Sequence, residues 1–225
     1  MYDSDSTLGV DVATQVTFDP SNPSEHVALA AKSLRDGFVI VAPHENGYVL
    51  LSDAFSPDSV RAMHVLRGDD LGVAAQVLIS DVKQIEGLAR EVTAEARTLM
   101  ENFWPGSLSL SLRPQAGLSW DLGDDGKLDW VCLRIPSHPF LQLLIKETGP
   151  LAVASGALAG QPPLQDLSHL NHMGHEIAVI VEHGVIEVEP ASTHIESDLS
   201  GVHLVREGAI SRSDIEKAIP AVVIS

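Results

Sequence analysis

Basic residues are scarce in this 225-residue sequence: Lys and Arg number 14 against 31 Asp and Glu, a formal charge of −17 with histidine neutral. Long-range attraction to nucleic-acid phosphates needs surplus cations, so general binding to duplex nucleic acid at physiological salt is disfavoured. Cysteine is nearly missing. The lone Cys132 excludes an intrachain disulfide, and its place between Val131 and Leu133 predicts a buried, inert thiol. No apolar run approaches the ~20 residues that cross a bilayer, which argues against a membrane partner. The start, with Asp3, Asp5 and Asp11, lacks the basic-then-apolar order of a secretory signal, and the expected location is the cytoplasm. Also missing are G-x-x-x-x-G-K-[ST], the dinucleotide fingerprint and G-x-S-x-G. Their absence excludes a P-loop and weighs against an unrelated acyl- or nucleotidyl-transfer enzyme.

What is present suits a single folded unit. Hydrophobic residues make up 44% and charged ones only 20%, enough to bury one substantial core. Residues 1–13 are polar and irregular and read as a frayed terminus, leaving 14–225 as one domain. Continuous apolar runs at Phe38–Ala42, Tyr48–Ser52, Val77–Ile79 and Leu151–Ala154 predict strands buried on both faces. Leu108–Arg113 alternates hydroxyls with leucines, a strand with one greasy face. Helical spacing follows Ser24, taken as an N-cap, and recurs from Pro57, over Val82–Leu88, Thr93–Phe103 and Pro139–Thr148, and after Ser213. Ile177–Val181 and Val185–Val188 read as a hairpin around Gly184. Strands alternating with helices in some places and meeting as hairpins in others predict α/β architecture: one large, twisted, mixed parallel and antiparallel sheet flanked by helices.

Several short motifs could carry chemistry. Each has an ordinary structural reading. Trp104-Pro105-Gly106 ends a helix and can simply wedge an aromatic into the core. Arg134 before Ile135-Pro136 could be a structural ion pair, and Ser192-Thr193 could be turn chemistry. Arg206-Glu207-Gly208 reads as a strand end followed by a turn. His169, His172 and His175 offer imidazoles, but Asn171 and Gly174 suggest a solvated loop, and no metal site is assigned.

Taken in order, however, Pro43-His44-Glu45-Asn46-Gly47-Tyr48, Trp104-Pro105-Gly106, Arg134-Ile135-Pro136, Ser155, Ser192-Thr193 and Arg206 resemble the YrdC-like threonylcarbamoyl-adenylate synthase family. The resemblance covers about residues 25–215. It implies a YrdC-like fold and a nucleotidyltransferase that joins ATP, bicarbonate and L-threonine, with Mg²⁺, in the pathway to N6-threonylcarbamoyladenosine in tRNA. It also brings in duplex RNA, which some family members are described as binding; the acidic balance opposes that partner here.

Carried over by position, the resemblance implies that Arg67, Ser155, Ser192, Thr193 and Arg206 face nucleotide, while His44, Tyr48, Ser109 and Arg134 face the amino-acid or carboxylate end. Arg67 and Arg134 would be the catalytic cations. The chain departs from the family pattern at several of these places. His44 and Asn46 stand where the family has threonines, Asp69 where it has an arginine, and Ala157 and Ala159 where it has an amide and a hydroxyl. An aspartate set against phosphate exchanges attraction for repulsion. The expectation is therefore a diverged member with weakened or altered nucleotide-dependent activity; the alternative is a non-catalytic protein that binds a small-molecule ligand, RNA or protein on the same scaffold.

Overall fold

The structure is a computed structural model that describes residues 13–168, 170, 177–187 and 189–220. Of residues 1–13, expected to fray, 1–12 lie outside the described residues, as do the histidines 169, 172 and 175. In chain order the strands are β1 (Thr14–Thr17), β2 (Val39–His44), β3 (Gly47–Asp53), β4 (Gln76–Leu78), β5 (Ala89–Arg90) and β6 (Leu108–Pro114). They continue as β7 (Val131–Arg134), β8 (Leu151–Ser155), β9 (Ile177–Glu182), β10 (Thr193–Asp198) and β11 (Gly201–Arg206). The helices are α1 (Ser24–Arg35), α2 (Pro57–Arg67), α3 (Ile85–Leu88), α4 (Ala94–Phe103), α5 (Pro139–Thr148) and α6 (Arg212–Ala218).

One mixed sheet runs β1-β9-β2-β3-β8-β4-β7-β6-β10-β11, with β5 paired to β6 at one end. Pairing is parallel for β1–β9, β2–β9, β4–β7 and β6–β10, and antiparallel elsewhere. Alternation assigns the two faces. Val41, Leu50, Ala152, Val77, Leu133, Leu110 and Ile195 pack into a large core beneath α2, α3, α4 and α6. Ile40, Leu51, Val153, Leu78 and Val179 point the other way, under α1 and α5. Further along that second face, Gln76, Cys132, Arg134, Ser109, Ser111 and His194 alternate with the core residues and belong to neither apolar cluster of the described residues. The sheet thus changes from greasy to polar along one face. Among the described residues, no helix is long and apolar enough to cross a membrane.

Some details differ from the sequence reading. Residues 185–187 form no strand beside β9, which pairs with β1 and β2 instead of closing a hairpin around Gly184. A strand not anticipated, β10, runs parallel to β6. The last helix is capped by Ser211, whose hydroxyl accepts from the Asp214 N–H at 3.2 Å, and not by Ser213. At the first helix Pro23 occupies the N-cap and Ser24 is the first helical residue.

Two turns place the side chains that matter most. β2 and β3 are joined through Glu45 and Asn46, with His44 paired to Gly47. Gly47 has φ +91°, and a Cβ there would lie 2.5 Å from the Leu164 carbonyl oxygen, so only glycine fits. At the end of α2, Gly68 adopts the left-handed conformation (φ +71°). Its N–H donates to the Val65 carbonyl and that of Asp69 to the His64 carbonyl, both at 3.1 Å. This double closure turns the chain back so that Asp69 lies over the last turn of the helix.

Candidate active site

A cavity of about 280 Å³ opens where the β2–β3 hairpin, the end of α2, β4, β7, β8 and the approach to β10 meet. Its lining includes His44, Arg67, Arg134, Ser155, Ser192 and Arg206. Six residues proposed from sequence therefore converge on one space. Ser109 sits just beneath, its hydroxyl 2.6 Å from Gln76 Nε2 and 2.8 Å from Ser192 Oγ, both on cavity residues.

Two proposed residues are placed elsewhere. Tyr48 is fully buried behind β2 and is not part of the lining. Its hydroxyl donates to the Gly184 carbonyl at 2.7 Å and accepts from the His183 N–H at 2.8 Å. Burial pushes its pKa up. Thr193 is also fully buried. Its Oγ1 donates to the Ile210 carbonyl at 2.6 Å and accepts from the N–H groups of Gly208 and Ile210, each at 3.0 Å. Both hydroxyls are saturated by backbone, which leaves them nothing to offer a ligand.

Glu45 organises one wall. Its Oε2 is 2.8 Å from His44 Nε2 and 3.4 Å from an Arg134 terminal nitrogen. Its Oε1 accepts from the Ser137 hydroxyl at 2.7 Å, the Ser137 N–H, and the His138 N–H at 3.2 Å. Burial alone would raise the carboxyl pKa, but the bond from His44, the nearby positive charge and the bond from Ser137 outweigh it and hold the group far below the usual range. His44 is pushed down by burial, against the pull of Glu45. Its Nδ1 accepts from the Asn46 N–H at 3.3 Å, which fits a neutral ring carrying its proton on Nε2 toward Glu45. Both nitrogens of His44 thus stand beside partners within the hairpin, and the residue lines the cavity.

The cations are anchored to different degrees. Arg134 is buried, and its Nε donates to the Gly106 carbonyl at 2.8 Å, fastening the Trp104-Pro105-Gly106 turn to the Glu45 wall. Trp104 is itself buried, its indole N–H donating to the Leu108 carbonyl at 2.8 Å. Arg206 is exposed; its Nε and one terminal nitrogen donate to the Ser192 carbonyl at 3.2 and 2.8 Å. Ser155 Oγ accepts from the Ala157 N–H at 3.2 Å, keeping the start of that loop against β8.

Asp69 does not face the cavity as a bare charge. Its Oδ1 lies 3.3 Å from Arg67 Nε and its Oδ2 2.8 Å from His64 Nδ1. The sequence reading set this carboxylate against an incoming phosphate; the structure pairs it on both oxygens. His64 and Gln76 are lining residues that the sequence reading did not single out. The helical spacing of His64 and Arg67, i and i+3, was a signal that they share a face.

Cys132 is partly buried on the polar face, with its sulfur enclosed. Its thiol lies 3.3 Å from Gln76 Nε2, and burial of the sulfur still pushes its pKa up, consistent with low reactivity. Among the described residues, no group of three or more His, Cys, Asp or Glu side chains converges as a metal site would require.

The profile of the Sua5/YciO/YrdC family, described as "Telomere recombination", matches residues 32–208. The chain belongs to the Sua5/YciO/YrdC family. Within it, a Mycobacterium tuberculosis protein named "Putative threonylcarbamoyl-AMP synthase" is 33% identical over 204 residues, 89% of this chain and 92% of the relative. The threonylcarbamoyl-AMP synthase of Bacillus subtilis is 34% identical over 208 residues, 91% of this chain and 59% of the relative. Among solved structures, Pyrococcus abyssi Sua5 complexed with L-threonine superposes with a TM-score of 0.83 at 26% identity, covering 95% of this chain and 62% of that one. The mixed sheet flanked by helices matches the fold of that structure, and the cavity lies within the span the family profile matches.

Proposed function

We propose that the chain is a nucleotidyltransferase of the threonylcarbamoyl-AMP synthase type, with nucleotide handling altered at the α2 end of the cavity. One observation carries the reading: Arg67, Arg134 and Arg206, from three separate elements, line one cavity together with the Ser155 and Ser192 hydroxyls. Guanidinium groups and hydroxyls are the partners that a triphosphate and a carboxylate need. The relatives' names and the L-threonine complex of the Pyrococcus abyssi protein support the same substrates here.

In the proposed reaction, the L-threonine amine condenses with bicarbonate, forming a C–N bond and losing water, to give a carbamate whose oxygen attacks the α-phosphorus of ATP. The bond from that phosphorus to the bridging oxygen breaks, and pyrophosphate leaves with the electron pair. Arg67 and Arg206 lie where positive charge would stabilise the leaving group, and such stabilisation is commonly the dominant contribution to phosphoryl-transfer catalysis. Arg134 and His44 would bound the carbamate and amino-acid end. Mg²⁺ would arrive on the phosphate oxygens, because Asp69 is the sole carboxylate among the described lining residues and both its oxygens are engaged.

The deciding assay is release of pyrophosphate from ATP with bicarbonate, measured with and without L-threonine. Turnover that depends on L-threonine supports the reading. Absence of turnover, together with no calorimetric ATP binding, would favour a ligand-binding protein on this scaffold.

A further inference from the structure

We propose that Asp69 is a positioning residue: it fixes Arg67 for phosphate and is itself fixed by His64. The carboxylate then assists nucleotide binding instead of opposing it. The inference rests on the nucleotide reading above.

Three observations lead to it. First, the backbone delivers Asp69 to this place. The Gly68 turn and the Asp69 N–H bond to the His64 carbonyl hold the residue over the last turn of α2, beside both partners. Second, the carboxylate is nearly sealed, its side chain 7% exposed, with one oxygen on Arg67 and the other on His64. The far nitrogen of His64, Nε2, lies 2.8 Å from the Leu122 carbonyl oxygen, so the ring is held at both ends and cannot swing away. Third, Asp69 stands beside Arg67 at Nε, a charge contact of 3.3 Å with no hydrogen bond along the Nε–H. No hydrogen bond or ion pair engages the two terminal nitrogens of Arg67 among the described residues, and the side chain retains 27% exposure beside the cavity.

The geometry has a simple physical consequence. An arginine at a helix end is long and flexible, and binding an anion requires freezing its rotamers. A carboxylate beside Nε holds the guanidinium in place by charge while leaving the terminal N–H groups for two phosphate oxygens. The same logic applies when an outer partner orients a metal-ligating histidine. His64 keeps Asp69 from rotating toward the cavity, where it would repel the phosphate. In a cavity with Arg at this position, Asp69 is thus the orienting partner of the cation and not a missing one.

Substitution at Asp69 gives opposite outcomes for the two roles. ATP with Mg²⁺ is titrated calorimetrically into the full chain and into Asp69→Asn, Asp69→Arg, Arg67→Ala and the Arg67→Ala/Asp69→Asn double variant. Positioning predicts that Asp69→Asn weakens ATP binding about tenfold and that Asp69→Arg weakens it at least as much although it adds positive charge. With Arg67 already removed, Asp69→Asn should change affinity less than about twofold, because its effect passes through that arginine. In the pyrophosphate assay the KM for ATP should rise with kcat changed less than about threefold.

Tighter binding in Asp69→Asn or Asp69→Arg overturns the proposal, as does an undiminished effect of Asp69→Asn without Arg67. Should Asp69→Arg fail to fold, the near-isosteric Asp69→Asn and the double variant decide alone. A wild-type chain that binds no ATP removes the nucleotide reading first, and this inference with it; failure at Asp69 with wild-type binding intact removes this inference only.

Discussion

The Arg134 guanidinium lies 3.4 Å from the Glu45 carboxylate, with the two side chains 5% and 12% exposed, so the pair joins β7 to the β2–β3 hairpin inside the protein. Removing one member of such a pair strands the other, at a cost of about 3–5 kcal/mol. Glu45→Ala should therefore lower unfolding free energy by roughly that amount, and also free the Ser137 and His138 N–H groups. Urea unfolding followed by far-UV circular dichroism tests it. A loss below about 1 kcal/mol would show that the wall stands without its carboxylate.

The distribution of apolar side chains made most of the scaffold readable. β2, β3, β4, β6, β7 and β8 bring long runs of Val, Leu and Ile to the centre of the sheet, and their positions followed from sequence. β10 did not, because its core-facing side is Thr193, Ile195 and Ser197, with one large apolar residue among two hydroxyls. Its place is secured instead by pairing with both β6 and β11. Glu45 and Asp69 expose a second limit. A carboxylate in sequence carries only its charge, whereas its effect depends on what tertiary folding sets against each oxygen. Composition gave no hint that His44 and Arg134 would meet Glu45, or that a glycine turn would fold Asp69 onto His64 and Arg67.

Thr193 separates fold from binding. Three bonds to backbone groups of residues 208 and 210 fasten the chain after β11 against β10. Thr193→Val preserves shape but leaves two part-buried N–H groups without their acceptor, which should cost about 1–3 kcal/mol. The ATP affinity of the variant that remains folded should be unchanged within about twofold. Thermal unfolding and calorimetry on one preparation give both numbers, and a tenfold affinity loss with normal stability would return Thr193 to the binding site.

His138 makes the protein sensitive to acid. Burial first, and then the positive charge on His183, lower its pKa to about 4 from an ordinary 6.5. The unfolded chain therefore binds this proton more readily than the folded one between those values. Stability from this group is intact above about pH 6.5 and falls as pH drops toward 4, by at most ~1.4 kcal/mol per pH unit for the one proton. His44 and His194, also lowered chiefly by burial, act in the same direction. Glu45, lowered despite its burial, adds a further loss below its ordinary value near 4.5. His138→Phe keeps an aromatic ring beside Phe18 and His183 and removes one titrating group. The fall in melting temperature between pH 6.5 and 4.5 should become shallower in this variant; an unaltered slope would place the acid sensitivity elsewhere.

Arg206 is the cation whose loss should touch binding and little else. It is exposed at the end of β11, and its bonds go to the Ser192 carbonyl and hydroxyl, on a segment that β6, β10 and Thr193 already hold in place. Truncation to alanine leaves those acceptors open to water, so the stability change should stay within about 0.5 kcal/mol. At the cavity the same truncation removes a charge-assisted donor, which should weaken ATP about tenfold. Arg206→Lys should recover only part of that loss, since a point charge cannot reproduce the planar fork that reaches Ser192 and the ligand together. Arg206 is also screened more readily than the buried Arg134, so the defect should shrink as salt rises from 50 to about 300 mM. Equal ATP affinity in wild type and Arg206→Ala at low salt would place the phosphates away from β11 and leave Arg67 as the cation that receives them.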